Sequence, residues 1–149
     1  TSSVRYMDSM FTTGSAETSF IEMRLFNSGT LTVTPAQDMY VGVRFWRGST
    51  TQRTRAWAGT PVSYTYTVRA GMTVTEMEST IFSANLIEDV GDLSVFYGNE
   101  FDFSRATRLR RLKLGDSSNS YSNANLTALN ITNCYLLEEI DCRNCNMLT

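Results

Sequence analysis

The chain has 149 residues, and its length and composition limit the classes of protein to which it can belong. Apolar residues make up 42% of the chain and charged residues 19%, which is typical of a folded globular protein rather than a disordered one. The 13 basic and 15 acidic residues give a formal net charge of −2, so no overall positive field favours nucleic acid or an anionic membrane. Histidine is absent, which removes the most common general base and the most common metal ligand.

The first segment of the chain, residues 1–19, is rich in Ser, Thr and Met and has no clean periodicity. We expect it to form an arm or loop. It lacks both an initiator Met and the apolar core of a signal peptide, so we expect the chain to be processed or to be a piece of a longer protein. The sequence contains no apolar run near the roughly 20 residues that a membrane helix needs, and we therefore expect no membrane partner.

Short segments of alternating polarity between residues 20 and 80 predict β-strands. Residues 20–26, 31–34 and 39–46 form the first three, and Pro35 is expected to end the second. In the third, Val41, Val43 and Phe45 share one face, which predicts one buried side. Turn-forming residues separate the segments, so the strands are expected to pair with one another.

Three more strands are predicted at residues 54–57, 61–68 and, more weakly, 72–77. Between residues 80 and 97 the signals mix, and residues 81–82 and 93–97 are expected to be strands or short buried turns around residues 89–92. Short strands at this spacing predict a mainly β fold, with residues 20–100 forming an antiparallel β-sandwich or open sheet and a cap region.

A repeat begins near the end of the chain. Each copy has an apolar residue, two other residues, a second apolar residue, one other residue and a third apolar residue. The copies start at Leu109, Leu126 and Leu137, and the last two are 11 residues apart. Two copies of 11 residues together have the length of one leucine-rich repeat, so residues 101–149 are predicted to start a leucine-rich-repeat solenoid. The predicted repeat core comprises Leu109, Leu112, Leu114, Leu126, Leu129, Ile131, Cys134, Leu137, Ile140, Cys142 and Cys145.

Two further features belong to this repeat. The Ser- and Asn-rich residues 115–124 separate the first copy from the second and are interpreted as an inserted loop. The second and third copies share an Asn-Cys pair, and a buried Asn is expected to bond the turn backbone there. An open solenoid end exposes apolar surface and strand edges, so we expect more chain or a neighbouring subunit to cover it.

A resemblance to known families rests on these motifs. Residues 125–149 resemble the Asn/Cys-rich leucine-rich repeats of Bacteroidales surface proteins. Residues 80–149, with Ile-Glu-Asp-Val-Gly-Asp-Leu-Ser at 87–94 and Asp-Phe-Ser-Arg-Ala-Thr-Arg-Leu at 102–109, resemble tail or muzzle structural proteins of crAss-like gut tailed phages. The resemblance implies a non-enzymatic virion component without a cofactor, a homo-oligomer that contacts neighbouring virion proteins. The alternative is a leucine-rich-repeat adhesin or ligand-binding module, extracellular or on the surface of a gut bacterium.

Cys142 and Cys145 have the spacing of a metal or redox pair. A structural zinc site requires four ligands, and Cys134 is the one remaining cysteine. A redox pair of the thioredoxin type requires a βαβ context that the sequence lacks. Because all three cysteines lie at repeat positions, we predict that they pack in the core and that the chain has no metal site.

Acidic residues at Asp89, Asp92, Glu100 and Asp102 form a cluster in the sequence. Carboxylates of this kind bind calcium or act as an acid/base pair. Their spacing does not match an EF-hand loop, so a solvated loop is the favoured interpretation and no catalytic residue is predicted.

A mixture of aromatic and basic residues suggests a binding surface. Such mixtures occur in proteins that bind single-stranded nucleic acid, but the acidic net charge favours a protein–protein contact. The predicted contact residues are Trp46, Arg53, Arg55, Trp57, Arg108, Arg110 and Arg111.

Overall fold

The computed structural model describes residues 19–115, 126–143 and 145, which form eleven strands in two sheets. The strands are β1 Phe20–Leu25, β2 Gly29–Pro35, β3 Met39–Arg44, β4 Gln52–Ala56, β5 Val62–Tyr66, β6 Glu78–Phe82, β7 Ile87–Asp92, β8 Gly98–Asp102, β9 Arg111–Lys113, β10 Ala128–Asn130 and β11 Glu139–Asp141. Single 3₁₀ turns lie at Thr75–Met77, Ala84–Leu86 and Leu93–Val95. No helix in the described ranges has the length and apolar character to cross a membrane.

Each sheet is mixed. The six-stranded sheet has the order β10-β8-β1-β6-β3-β4, and all its neighbours are antiparallel except β8 and β10. The five-stranded sheet has the order β11-β9-β7-β2-β5, in which β7, β9 and β11 run parallel. Both sheets therefore continue without interruption from an antiparallel region into a parallel one.

The core lies between the two sheets and is closed by aromatic side chains. Phe45, which directly follows β3, meets Tyr66 from the five-stranded sheet edge to face, with ring centroids 5.6 Å apart. Tyr66 is fully buried, and its hydroxyl donates a hydrogen bond to the Leu25 carbonyl oxygen at 2.8 Å across the core. Burial raises the pKa of Tyr66 above its usual value. A buried tyrosine with a satisfied hydroxyl stabilises the packing of one sheet on the other.

The prediction of mainly β structure is confirmed: β1, β3 and β5 lie within the predicted segments, whereas β2 and β4 overlap theirs and begin two residues earlier. The predicted strand at residues 72–77 is wrong, because the chain turns at Gly71 (φ +84°) and forms a 3₁₀ turn before β6. Of the segments expected to be strands or short turns, residues 81–82 end β6 and Leu93–Val95 form a 3₁₀ turn. Residues 89–92, between them, lie in β7, where Gly91 (φ +73°) accompanies a shift of register that marks a bulge.

Successive repeat units lie on opposite sheets. β8 and β10 belong to the six-stranded sheet, whereas β9 and β11 belong to the five-stranded sheet. In register, Phe101 pairs with Leu129 and Leu112 pairs with Ile140, so each unit stacks on the unit two places away. A leucine-rich-repeat solenoid, with its strands side by side in one sheet, is not seen among the described residues. We call β8 to β11 with their connections the parallel coil.

Candidate functional site

Burial of the predicted repeat core is complete in the first copy and uneven in the later ones. Leu109, Leu114 and Leu126 are fully buried and Leu112 is 2% exposed. Leu129, Cys134, Leu137 and Cys142 are partly buried against the core, and Cys145 is 7% exposed. Ile131 and Ile140 are 37% and 47% exposed. All repeat positions of the first copy therefore point into the core, whereas the later copies combine buried positions with the exposed Ile131 and Ile140.

The structure contains an earlier copy of the repeat that was not predicted from the sequence. Phe101 and Phe103 lie 11 residues before Leu112 and Leu114, and both phenylalanines are buried with stacked rings 6.0 Å apart. Ala106 occupies the position that Cys134 and Cys145 fill later, and it is fully buried. The same spacing was present in the sequence, with Phe in place of Leu.

The outer end of the parallel coil exposes apolar side chains beside two edge strands. β10 and β11 are the outermost strands of their sheets in the described part of the chain. The large exposed apolar residues near them are Ile131, Tyr135, Leu136 and Ile140, and Tyr135 is 77% exposed. We call this surface, made of β10, β11 and those four side chains, the coil edge.

Charged side chains form two rows across β7, β9 and β11 on the outer face of the five-stranded sheet. The rows are Asp89–Arg111–Glu139 and Asp92–Lys113–Asp141. The Arg111 Nη2 atom lies 2.9 Å from Asp89 Oδ2, and Lys113 Nζ lies 3.7 Å from Asp92 Oδ2. Hydrogen bonds from Arg143 hold the pKa of Asp141 at about 2. Parallel stacking thus alternates acid and base along each row.

The predicted acidic cluster is divided between the two sheets. Asp89 and Asp92 lie on β7, whereas Glu100 and Asp102 lie on β8. Asp92 and Asp102 each accept a hydrogen bond from the backbone N–H two residues later, which ends the strand in a turn. Within the described ranges, no three His, Cys, Asp or Glu side chains are grouped so that they could hold a metal ion.

The two tryptophans of the predicted contact surface lie at opposite ends of the β3–β4 hairpin, because Met39 pairs with Ala56 and Val43 with Gln52. The Trp46 ring is covered by the Arg69 guanidinium at 4.4 Å, and its Nε1 donates to the Thr67 carbonyl oxygen at 3.1 Å. Trp57 follows the other end of the hairpin and is half-buried.

The predicted contact arginines are spread over several places as well. Arg53 and Arg55 are exposed on the edge strand β4, and Arg55 Nε donates to the Tyr40 hydroxyl at 2.9 Å. Arg108 bonds Gln37, Arg110 bonds Glu138, and Arg111 bonds Asp89. The seven predicted residues do not form one patch.

The described cysteines are all free thiols. The Cys134 Sγ atom lies 3.2 Å from the Phe103 carbonyl oxygen, and burial raises the pKa of the Cys134 thiol. Burial also raises the pKa of Cys145 to about 11, so the thiol stays protonated at neutral pH. Asn133, of the repeated Asn-Cys pair, is exposed rather than buried and has a left-handed backbone (φ 69°) that asparagine tolerates.

A groove of about 860 Å³ crosses the outer face of the six-stranded sheet. Five directly opposed residues on five neighbouring strands, β10 to β3, form a polar row along it. The polar row consists of Asn130, Asp102, Glu22, Thr80 and Arg44. Two residues along β1 and β6 from this row, Phe20 and Phe82 pair edge to face with ring centroids 5.3 Å apart. We call this surface the sheet groove.

Ion pairs neutralise part of the sheet groove. Arg24 lies 3.1 Å from Glu100 and 3.5 Å from Glu78, which also lies 3.8 Å from Arg47. Arg44 makes one long hydrogen bond, 3.4 Å from Nη2 to Thr80 Oγ1. Its Nε atom is shielded from solvent and finds no acceptor among the described residues.

The chain matches no protein-family model, no curated protein and no solved structure. Two surfaces of the described residues are candidates for a functional site: the coil edge and the sheet groove.

Proposed function

We propose that the chain is a non-enzymatic structural module that acts through protein–protein contacts in a larger assembly, the tail of a tailed-phage virion. The coil edge is the observation on which this proposal depends. Large exposed apolar side chains beside open strand edges are typical of interaction surfaces. The virion setting is supported by the resemblance of residues 80–149 to phage tail proteins.

The coil edge offers two kinds of bonding to a partner. β10 pairs with β8 on one side and β11 pairs with β9 on one side, so an extended segment can add backbone hydrogen bonds along the other side. The same segment would cover Ile140, which is 47% exposed. Covering apolar surface contributes roughly 25 cal/mol for each Å² removed from water.

The other two sheet edges are less suited to such a contact. β4 carries exposed Arg53 and Arg55, and charged side chains on an edge strand disfavour pairing with another chain. On β5, the exposed residues are Ser63 and Thr65. The combination of an open edge and large apolar side chains therefore favours the coil edge as the assembly surface.

The proposal is tested by light scattering on the 149-residue chain over a range of concentrations. We expect a discrete homo-oligomer, and we expect Ile140→Lys to dissociate it because a charged side chain would be buried at the contact. Val74→Lys is the matched control, since Val74 is 51% exposed and lies outside the coil edge. A monomer at every concentration would contradict self-association.

A second candidate function is supported by the sheet groove. In this alternative, the chain is a surface adhesin or ligand-binding module of a gut bacterium, with the C-terminal copies continuing as a leucine-rich repeat. Such a module would remain monomeric and bind its ligand through a concave surface. The mass measurement therefore separates the two candidates.

A further inference from the structure

We propose that the sheet groove is a binding site for a neutral oligosaccharide that lies across the strands along the polar row. Its volume of about 860 Å³ is within the range of roughly 300–1,000 Å³ that is typical of ligand sites. Neighbouring strands are about 4.8 Å apart, so the five positions of the polar row span roughly 19 Å. An extended chain of sugar rings, rather than a single small molecule, fits a groove of this length.

The two carboxylates at the centre of the polar row have few hydrogen-bond donors: Asp102 accepts one from the Ser104 backbone N–H, and Glu22 accepts none from the described residues. Glu22 and Asp102 are directly opposite each other on β1 and β8, and neither forms an ion pair within the described ranges. Like charges at opposed positions destabilise a sheet. Sugar hydroxyls would donate to both carboxylates, and hydrogen bonds to a charged acceptor are the stronger kind.

One end of the polar row supplies a donor instead. Arg44 lines the sheet groove and is directly opposite Thr80, to which it makes a hydrogen bond of 3.4 Å. A guanidinium has five N–H donors, so most of the donor capacity of Arg44 is unused by the described residues. A sugar hydroxyl both donates and accepts, and a polyol can therefore satisfy the carboxylates and Arg44 together.

The aromatic pair beside the polar row supplies an apolar surface. Phe20 and Phe82 are half-buried and line the groove. Each lies two residues along its strand from a member of the polar row, Glu22 or Thr80. The C–H face of a sugar ring is apolar and packs on an aromatic side chain while its hydroxyls bond polar neighbours. The groove thus has an apolar surface and hydroxyl-binding groups side by side.

The charge distribution favours a neutral ligand. Arg24, Arg47, Glu78 and Glu100 neutralise one another through three ion pairs. A phosphorylated or sulfated ligand would face the two carboxylates of the polar row, and a polycation would face Arg44. Each of these charged ligands would place like charges together, whereas a neutral polyol would not.

The inference is tested with the 149-residue protein on an array of neutral, sialylated and sulfated glycans, followed by calorimetric titration of the neutral glycan retained best. We expect retention on neutral glycans. We expect Glu22→Gln to weaken binding roughly 10- to 100-fold, because it removes a charged acceptor. Phe82→Ala should weaken it about 10-fold. The control is Glu76→Gln, the same change at an exposed position outside both the groove lining and the coil edge, and it should bind as the unmodified chain does.

Three results would overturn the inference: no retention on neutral glycans, retention on acidic glycans alone, or binding that Glu22→Gln and Arg44→Gln leave unchanged. Thermal unfolding of each variant separates lost binding from lost folding, since Glu22 is exposed and the Gln side chain has the same shape. Ile140→Lys should retain saccharide binding, and Glu22→Gln should retain the oligomer mass. Failure of one proposal is therefore distinguishable from failure of the other.

Discussion

The antiparallel region and the parallel coil differ in how completely they bury their inward-facing side chains. In β1, β3 and β6, the inward residues Ile21, Val41 and Ile81 are all fully buried. In the coil, equivalent inward positions change from 2% exposed at Phe101 to 47% exposed at Ile140. Residue type does not explain the change, since Ile21 and Ile81 are fully buried whereas Ile140 is 47% exposed. Burial depends on how many neighbouring strands and copies cover each position.

The two regions are joined by β7 and β8. β7 pairs with β2 in antiparallel fashion and with β9 in parallel fashion, and β8 does the same with β1 and β10. The coil therefore begins beside antiparallel strands, and among its described strands only the last two, β10 and β11, are paired on one side alone. Stability in such an array is close to a sum over copies and their nearest-neighbour contacts.

Alanine substitution at equivalent positions of the coil gives the largest expected difference. Leu112 is 2% exposed and Ile140, its partner in register, is 47% exposed. We expect Leu112→Ala to lower the free energy of unfolding by about 2–5 kcal/mol, because it leaves a cavity in a packed core. Ile140→Ala should cost less than about 1 kcal/mol. Urea denaturation of each variant measures both values.

This comparison has to be made at a protein concentration where light scattering shows a monomer. An equal loss for both substitutions under that condition would contradict the gradient of burial. An equal loss that appears only at high concentration would instead indicate that self-association covers Ile140, as the assembly proposal requires.

The strands of the antiparallel region were predictable because each has one buried face. Tyr64 and Tyr66 alternate with exposed Ser63 and Thr65, and the sequence contains that alternation directly. The repeat was predictable for a related reason, since its period of 11 residues fixes which side chains point inward. Leu109 and Leu114, both predicted as repeat core, are fully buried.

The pairing of the strands was not predictable from the same patterns. Periodicity shows which face of a strand is buried but not which strand lies beside it, so the alternation of repeat units between two sheets could not be inferred. The sheet groove was missed for this reason. Glu22, Thr80 and Asp102 are far apart in sequence and become neighbours through strand order alone.

Glycine substitutions give an intermediate effect and test how closely the coil packs. A Cβ atom added at Gly115 would clash with the Arg143 carbonyl oxygen, which lies two copies further along the chain. Gly115→Ala should therefore destabilise the protein by about 2–3 kcal/mol and separate β11 from β9. Gly71→Ala is the control, because it has a positive φ but open space, and it should cost about 1 kcal/mol.

Hydrogen exchange locates the damage from these substitutions. Gly115→Ala should accelerate exchange at β11 while β1 and β6 keep their protection, because the antiparallel region packs independently of the last copy. Uniform acceleration across both regions would show that the coil and the antiparallel region unfold as one unit. Gly71→Ala should leave β11 unaffected.

The smallest expected difference concerns the ion pairs on the two outer faces. Arg24 in the antiparallel region is 26% exposed and contacts both Glu78 and Glu100, whereas Arg111 in the coil is 61% exposed and contacts Asp89. We expect Arg24→Gln to cost about 1 kcal/mol and Arg111→Gln a few tenths, roughly 0.3 kcal/mol, since solvent screens the more exposed pair. In 1 M salt the Debye length falls to about 3 Å, and both costs should shrink toward zero. A cost for Arg111→Gln that equals or exceeds that for Arg24→Gln would mean that the charged rows of the coil are shielded from water, which requires a partner on that face.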